Sequence, residues 1–130
     1  MNVSLFYSLQ TLTTIFSSLC QDDNLIPIGG TEDYYNAVTS IIPDVQSFYK
    51  FYPVPGLYHC IGGRSGQPTS LFEQLRAWVE NGTEPNESPV KITDKTEKVQ
   101  SRILCPYPQA ARVIEGCGDV GDAKCWTCAN

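Results

Sequence analysis

An α/β layout with parallel strands is the fold class this 130-residue sequence predicts. Three observations carry it. The run Ser47-Phe48-Tyr49-Lys50-Phe51-Tyr52 reads as a strand, because aromatic side chains suit a pleated, half-buried surface. Stretches with helical spacing of apolar residues lie on either side of it, over 32–41 and 71–81. Only that one convincing strand precedes residue 83, too few for a parallel sheet covered on both faces. The layout expected is therefore the end of an α/β domain, with an incomplete sheet.

The elements follow in order. Residues 1–21 carry no charged side chain, and their apolar pieces Leu5-Phe6-Tyr7 and Thr14-Ile15-Phe16 are interrupted by Ser, Gln and Thr. A secretory signal wants a positive start and an unbroken apolar core, so this stretch reads as an ill-matched leader or a poorly specified strand. Leu25-Ile26-Pro27-Ile28-Gly29-Gly30 reads as an apolar edge closing in a Gly-Gly turn. Thr31 then offers an N-cap, with Glu32 and Asp33 favourable to the first-turn dipole. The helix over 32–41 would present Tyr34, Val38 and Ile41 or Ile42, and Pro43 ends it. Pro53, Pro55 and Gly56 terminate the aromatic strand, and 62–68 is too rich in breakers to be anything but loop. Ser70-x-x-Glu73 is a capping box, followed by a stripe of Leu71, Leu75, Trp78 and Val79 and a stop at Asn81-Gly82. Val90-Lys91-Ile92 and Ser101-Arg102-Ile103-Leu104 read as two short strands, and the tail from Cys105 as loop held by cysteines.

Composition excludes several functions. A net charge of −5, from 9 basic and 14 acidic residues, argues against nucleic-acid binding, which needs basic surface to displace counterions. No stretch of 18 apolar residues points to a membrane span, and no internal repeat is present. Six cysteines, four of them from Cys105 onward, indicate an oxidising compartment. The sequons at Asn2, Asn81 and Asn86 are compatible with secretion and make Asn81 and Asn86 glycosylation candidates.

The chemistry gathers around the single histidine, His59, in Val54-Pro55-Gly56-Leu57-Tyr58-His59-Cys60. A turn after a strand is where an enzyme holds an imidazole toward substrate. Asp22-Asp23 precedes it on another loop. Acid then histidine is the second half of the Ser, Asp, His chain order of α/β-hydrolases. A carboxylate there would fix the imidazole tautomer and stabilise the imidazolium. The first half is missing: no Gly-x-Ser-x-Gly occurs, and Ser65, after His59 and before no helix, does not serve as the nucleophile. Zinc binding by Cys105, Cys117, Cys125 and Cys128 is the weaker alternative to disulfides, because only one Cys-x-x-Cys pair is present. A thioredoxin-like role for that pair fails, since no strand leads into it and no helix follows.

A family resemblance rests on Asp23-Asn24-Leu25-Ile26-Pro27, Gly29-Gly30-Thr31, Asp33-Tyr34-Tyr35, Val54 to Cys60 with Gly62-Gly63, Trp78 to Gly82, and Leu104-Cys105-Pro106-Tyr107-Pro108. In order and spacing these resemble the tannase and feruloyl esterase family over residues 22–130. The resemblance implies the C-terminal part of an α/β-hydrolase fold with a disulfide-linked tail, preceded by an unrelated leader at 1–21. It implies a secreted serine esterase acting on phenolic-acid esters of plant cell-wall sugars or tannins, with neither nucleic-acid nor membrane partner. By position, Asp23 would be the triad acid and His59 the base. Cys60 would pair with a cysteine beside the nucleophilic serine, absent from this chain. Cys105 would pair with Cys128, and, more weakly inferred, Cys117 with Cys125. The family's nucleophile, oxyanion hole and calcium-bearing lid lie upstream, so no cofactor is expected in this segment, and the chain alone is expected to be inactive. The rival expectation is a small secreted cysteine-rich binding protein without catalysis, in which Cys20 pairs with Cys60.

Overall fold

In a computed structural model that describes residues 14–59 and 61–130, the chain centres on two parallel strands, β1 (Ile15–Cys20) and β2 (Tyr49–Val54). They are joined by α1 (Ile28–Ile41) and a short 3₁₀ turn, Val45–Ser47. Next come α2 (Leu71–Asn81) and the antiparallel pair β3 (Ser88–Thr93) and β4 (Val99–Leu104). The tail forms a second antiparallel pair, β5 (Ala110–Val113) and β6 (Trp126–Ala129), with a 3₁₀ turn at Ala123–Cys125 before β6. Among the described residues these make three two-stranded sheets.

The β1–α1–β2 unit carries the parallel pairing expected, and its register runs from Ile15 opposite Tyr49 to Cys20 opposite Val54. Several local expectations need correction. Ile15–Cys20 is a regular strand, because its backbone groups find partners along β2 whatever its polar side chains prefer. The Gly29-Gly30 pair is not a turn. It lies inside α1, which starts after Pro27, so Thr31 is not the cap and Glu32 and Asp33 fall beyond the first turn. Ser70 makes no side-chain cap bond and sits in helical backbone geometry; its carbonyl accepts from Gln74 N instead. The aromatic strand begins two residues later than expected, because 45–47 winds into a 3₁₀ turn. The tail is largely loop held by cysteines, but it also contains a strand pair that was not expected, Ala110–Val113 with Trp126–Ala129.

β2 is buried on both faces, as a covered parallel strand should be. On one face Phe51 packs with Tyr35 and Val45, and the half-buried Tyr49 and Tyr107 join them. On the other, Tyr52 and Val54 pack with Leu57, Val90 and Leu104. Tyr35, not Tyr34, is the residue α1 buries; Tyr34 and Ile41 point to solvent. The inner stripe of α1 is formed by Ile28, Tyr35 and Val38. The Tyr35 ring meets those of Tyr49, Phe51 and Tyr107, and its hydroxyl donates to Tyr49 O at 3.1 Å. Burying each such ring is worth about 2–3 kcal/mol. On α2 the buried residue is Trp78, while Val79 is exposed. Lys50, on β2, is buried against Trp78 and pairs with Glu84 at 3.1 Å.

Two disulfides close the tail, Cys105–Cys128 and Cys117–Cys125. The zinc alternative needs four free thiolates and so does not apply. Cys105 is buried at the end of β4, and its bridge ties β6 to the central layers. A ring of this length, 23 residues, removes about 3 kcal/mol worth of entropy from the unfolded chain. Replacing both cysteines by Ala is therefore expected to lower unfolding free energy by about 3 kcal/mol in urea titration. A loss below about 1 kcal/mol would show that the tail is not held by this bridge.

Gly63 meets a stricter constraint. A Cβ there would lie 2.1 Å from Gly56 O and 3.2 Å from Tyr58 N, at a φ of +81°. Gly63→Ala should cost about 2 kcal/mol or more and shift the amide resonances of 56–65. An unchanged spectrum and midpoint would contradict this close approach.

Candidate active site

The site forms where β1 and β2 end side by side. Backbone bonds continue the strand pairing past the sheet: Gln21 N donates to Val54 O at 3.0 Å and Asp22 N to Leu57 O at 3.2 Å. These carry the Asp22-Asp23 loop alongside the loop that bears His59. The second loop is itself clasped. Gly56 O accepts from both Arg64 N and Ser65 N, and Tyr58 N donates to Gly62 O. Thr93 N donates to Arg64 O, and Gly66 N to Lys91 O, each at 2.7 Å, so the loop is stitched to β3.

Within this frame His59 Nδ1 lies 2.7 Å from Asp23 Oδ2. The other carboxylate oxygen, Oδ1, accepts from Leu25 N at 2.8 Å and Ile26 N at 2.9 Å. Asp23 thus caps its own turn with one oxygen and holds the imidazole with the other, which fixes the carboxylate plane. Its side chain is 6% exposed, whereas that of His59 is 39% exposed. The backbone N–H of Ile26 is the largest influence on the Asp23 carboxyl and holds it below its ordinary 3.8. Burial opposes this, and the His59 hydrogen bond and Leu25 N–H add to it. With Nδ1 committed to Asp23, the remaining ring nitrogen, Nε2, is the one left for an external group. An open depression lined by Asp22, Asn24, Tyr58 and His59 lies there.

The other residues singled out in the sequence fall elsewhere. Ser65 is buried, and its Oγ donates to Gly66 O rather than to the imidazole. Among the described residues, no serine hydroxyl bonds His59. Cys20, at the end of β1, is a free thiol, so the Cys20–Cys60 bridge of the binding-protein reading is not formed at Cys20. Cys60 itself and the Asn2 sequon lie outside the described residues. Asn81 is exposed at the end of α2, and Asn86 is exposed beside Lys50. The double turn bond on Asp23 was not read from the sequence, though Asp followed by Asn-Leu-Ile is the pattern of such a turn. The Gly56–Gly63 clasp was missed as well; its only signal is the spacing of glycines around the histidine.

Among the described residues, no helix is long and apolar enough to cross a membrane. A family model described as tannase and feruloyl esterase matches residues 15–129, so the match begins seven residues before Asp22. A mono(2-hydroxyethyl) terephthalate hydrolase of Piscinibacter sakaiensis is 34% identical over 76% of this chain and 17% of its own length. A probable feruloyl esterase of Arthroderma benhamiae is 34% identical over 82% of this chain and 21% of its own length. The chain thus spans about a fifth of the length of these relatives. Among solved structures, feruloyl esterase B from Aspergillus oryzae superposes with a TM-score of 0.76 at 21% identity, covering 98% of this chain and 28% of that one. A tannin acyl hydrolase from Aspergillus niger gives 0.65 at 21% identity, over 87% of this chain and 22% of that one. These likenesses show that the chain shares the fold of a part of each of those two structures. With the family model matching residues 15–129 of the 130, this chain belongs to the tannase and feruloyl esterase family.

Proposed function

We propose that this chain supplies the acid and base of a secreted carboxylic ester hydrolase acting on esters of phenolic acids, feruloyl or galloyl in type. The observation that carries the reading is the 2.7 Å contact of Asp23 Oδ2 with His59 Nδ1, in a chain whose relatives bear the names tannase and feruloyl esterase. In this mechanism His59 Nε2 takes the proton of a serine hydroxyl as that oxygen attacks the ester carbonyl. The proton then passes to the departing alkoxide oxygen, leaving an acyl-serine. Water, deprotonated by the same nitrogen, attacks the acyl carbon and frees the acid, and the proton returns to serine. Asp23 stays ionised throughout and stabilises the imidazolium. The nucleophile and oxyanion donors come from outside the described residues. The Tyr58 ring, 55% exposed at the lip of the depression beside His59, is an aromatic surface against which a phenolic ring can lie.

A chimera tests this directly. Residues 15–129 replace the matched segment of the Arthroderma benhamiae relative, and hydrolysis of methyl ferulate and methyl gallate is measured. The chimera should turn over one of these esters, and His59→Ala or Asp23→Ala should each lower kcat by on the order of 10⁴. Equal rates in a folded chimera and its His59→Ala form would remove His59 from the mechanism. The 130-residue chain alone should show no turnover of either ester. Hydrolysis by the isolated chain that disappears in His59→Ala would contradict that expectation.

The Asp23 carboxyl gives a pH prediction. A carboxyl depressed in the folded state stabilises fully above its unfolded value, and that contribution is lost as pH falls through the native value. The carboxyl carbon of Asp23, followed by NMR, should therefore titrate with a midpoint below 3.8. A midpoint at or above that value would mean that the Ile26 and Leu25 N–H groups do not hold it.

A further inference from the structure

The two candidate sequons differ in how the fold uses them. Asn81 is the last residue of α2, and Asn81, Gly82 and Thr83 are all exposed. Gly82 is left-handed, at φ 67°, and its N–H and that of Thr83 close the helix onto Trp78 O and Ala77 O. A Cβ built on Gly82 meets nothing within 4 Å, so the space around this turn is open. The Asn81 amide makes no hydrogen bond among the described residues.

Asn86-Glu87-Ser88 is built into the packing instead. Ser88 is 0% exposed, already belongs to β3, and its Oγ donates to Gln74 Oε1 at 2.8 Å. The same Gln74 amide donates through Nε2 to Glu87 O at 2.7 Å, so one side chain of α2 clamps two of the three residues. Asn86 Oδ1 faces the buried Lys50 ammonium at 3.4 Å, beside the Lys50–Glu84 pair. Its amide oxygen is thus a second acceptor for a buried ammonium that Glu84 already pairs, although the Asn86 residue itself is exposed.

We infer that Asn81, and not Asn86, is the site on this fold that carries an N-linked oligosaccharide. The donor is a lipid-diphosphate-linked oligosaccharide. The Asn81 Nδ2 forms a bond to the sugar C1 as the C1–O bond to the lipid diphosphate breaks. One amide proton is released, and the lipid diphosphate departs. The glycan then stands in solvent beyond the end of α2, on a residue that no packing contact requires. At Asn86 the recognition hydroxyl of Ser88 is sealed between α2 and β3.

The test is expression of the full chain, with Asn2→Gln to remove the third sequon, behind a secretory leader in yeast, followed by peptide mapping after enzymatic deglycosylation in heavy-oxygen water. Protein from the cell extract and from the medium is mapped alike, so the readout does not depend on export. The expected result is label at Asn81 only, with a one-glycan mobility shift that Asn81→Gln and Thr83→Ala each abolish and Asn86→Gln leaves in place. Label at Asn86, at both positions or at neither overturns the assignment. Thr83→Ala keeps the Asn81 side chain, which separates loss of the sequon from loss of the helix end.

Discussion

The parallel register of β1 on β2 is the constraint on which the rest depends. Because Cys20 stands opposite Val54, the chain leaving β1 and the chain leaving β2 emerge together at the same edge of the sheet. Two further backbone bonds, from Gln21 and Asp22, extend that alignment into the loops. A slip of one residue would exchange the two faces of β1 and carry Asp23 away from the imidazole. The carboxyl ends of parallel strands are where open α/β sheets place their chemistry, and among the described residues the Asp23–His59 pair stands at that end of the two parallel strands.

Around that register, polar and apolar parts divide the work. The apolar part grips β2 from both sides, through Tyr35, Val45 and Phe51 on one face and Tyr52, Val54 and Leu104 on the other. The polar part acts at the loops, where backbone groups fix geometry that side-chain packing cannot. Asp23 is the clearest case. Two amides hold one oxygen so that the other has a single direction left, toward His59. The Gly56–Gly63 clasp does the same for the loop opposite, using the close approach that only a residue without a Cβ allows.

What the sequence made legible follows from this division. The helix over 71–81 was readable because Trp78 repeats at helical spacing from Leu71 and Gly82 is a stop that no other residue fills as well. The Asp-then-His order was readable because chemistry restricts residue type more tightly than packing does. The start of α1 was not, since Gly29 and Gly30 score as a turn locally and only the packing of Ile28 against the β2 layer brings them into the helix. β1 was obscured for a similar reason. Its two serines, Ser17 and Ser18, weaken the apolar alternation, yet its backbone pairs fully with β2. The tail strands were hidden behind their cysteines, which suggest cross-linked loop until the pairing of Ala111 with Cys128 is seen.

Asp23 holds the His59 imidazole by Nδ1, which leaves Nε2 for an external group. Nitrogen-15 and proton NMR of the histidine ring measures this most directly, since the chain has one histidine and its signals need no deconvolution. A far-downfield Nδ1–H proton is expected at neutral pH, and it should disappear in Asp23→Ala while the backbone amides of β1 and β2 stay in place. A ring spectrum identical in the two proteins would contradict it.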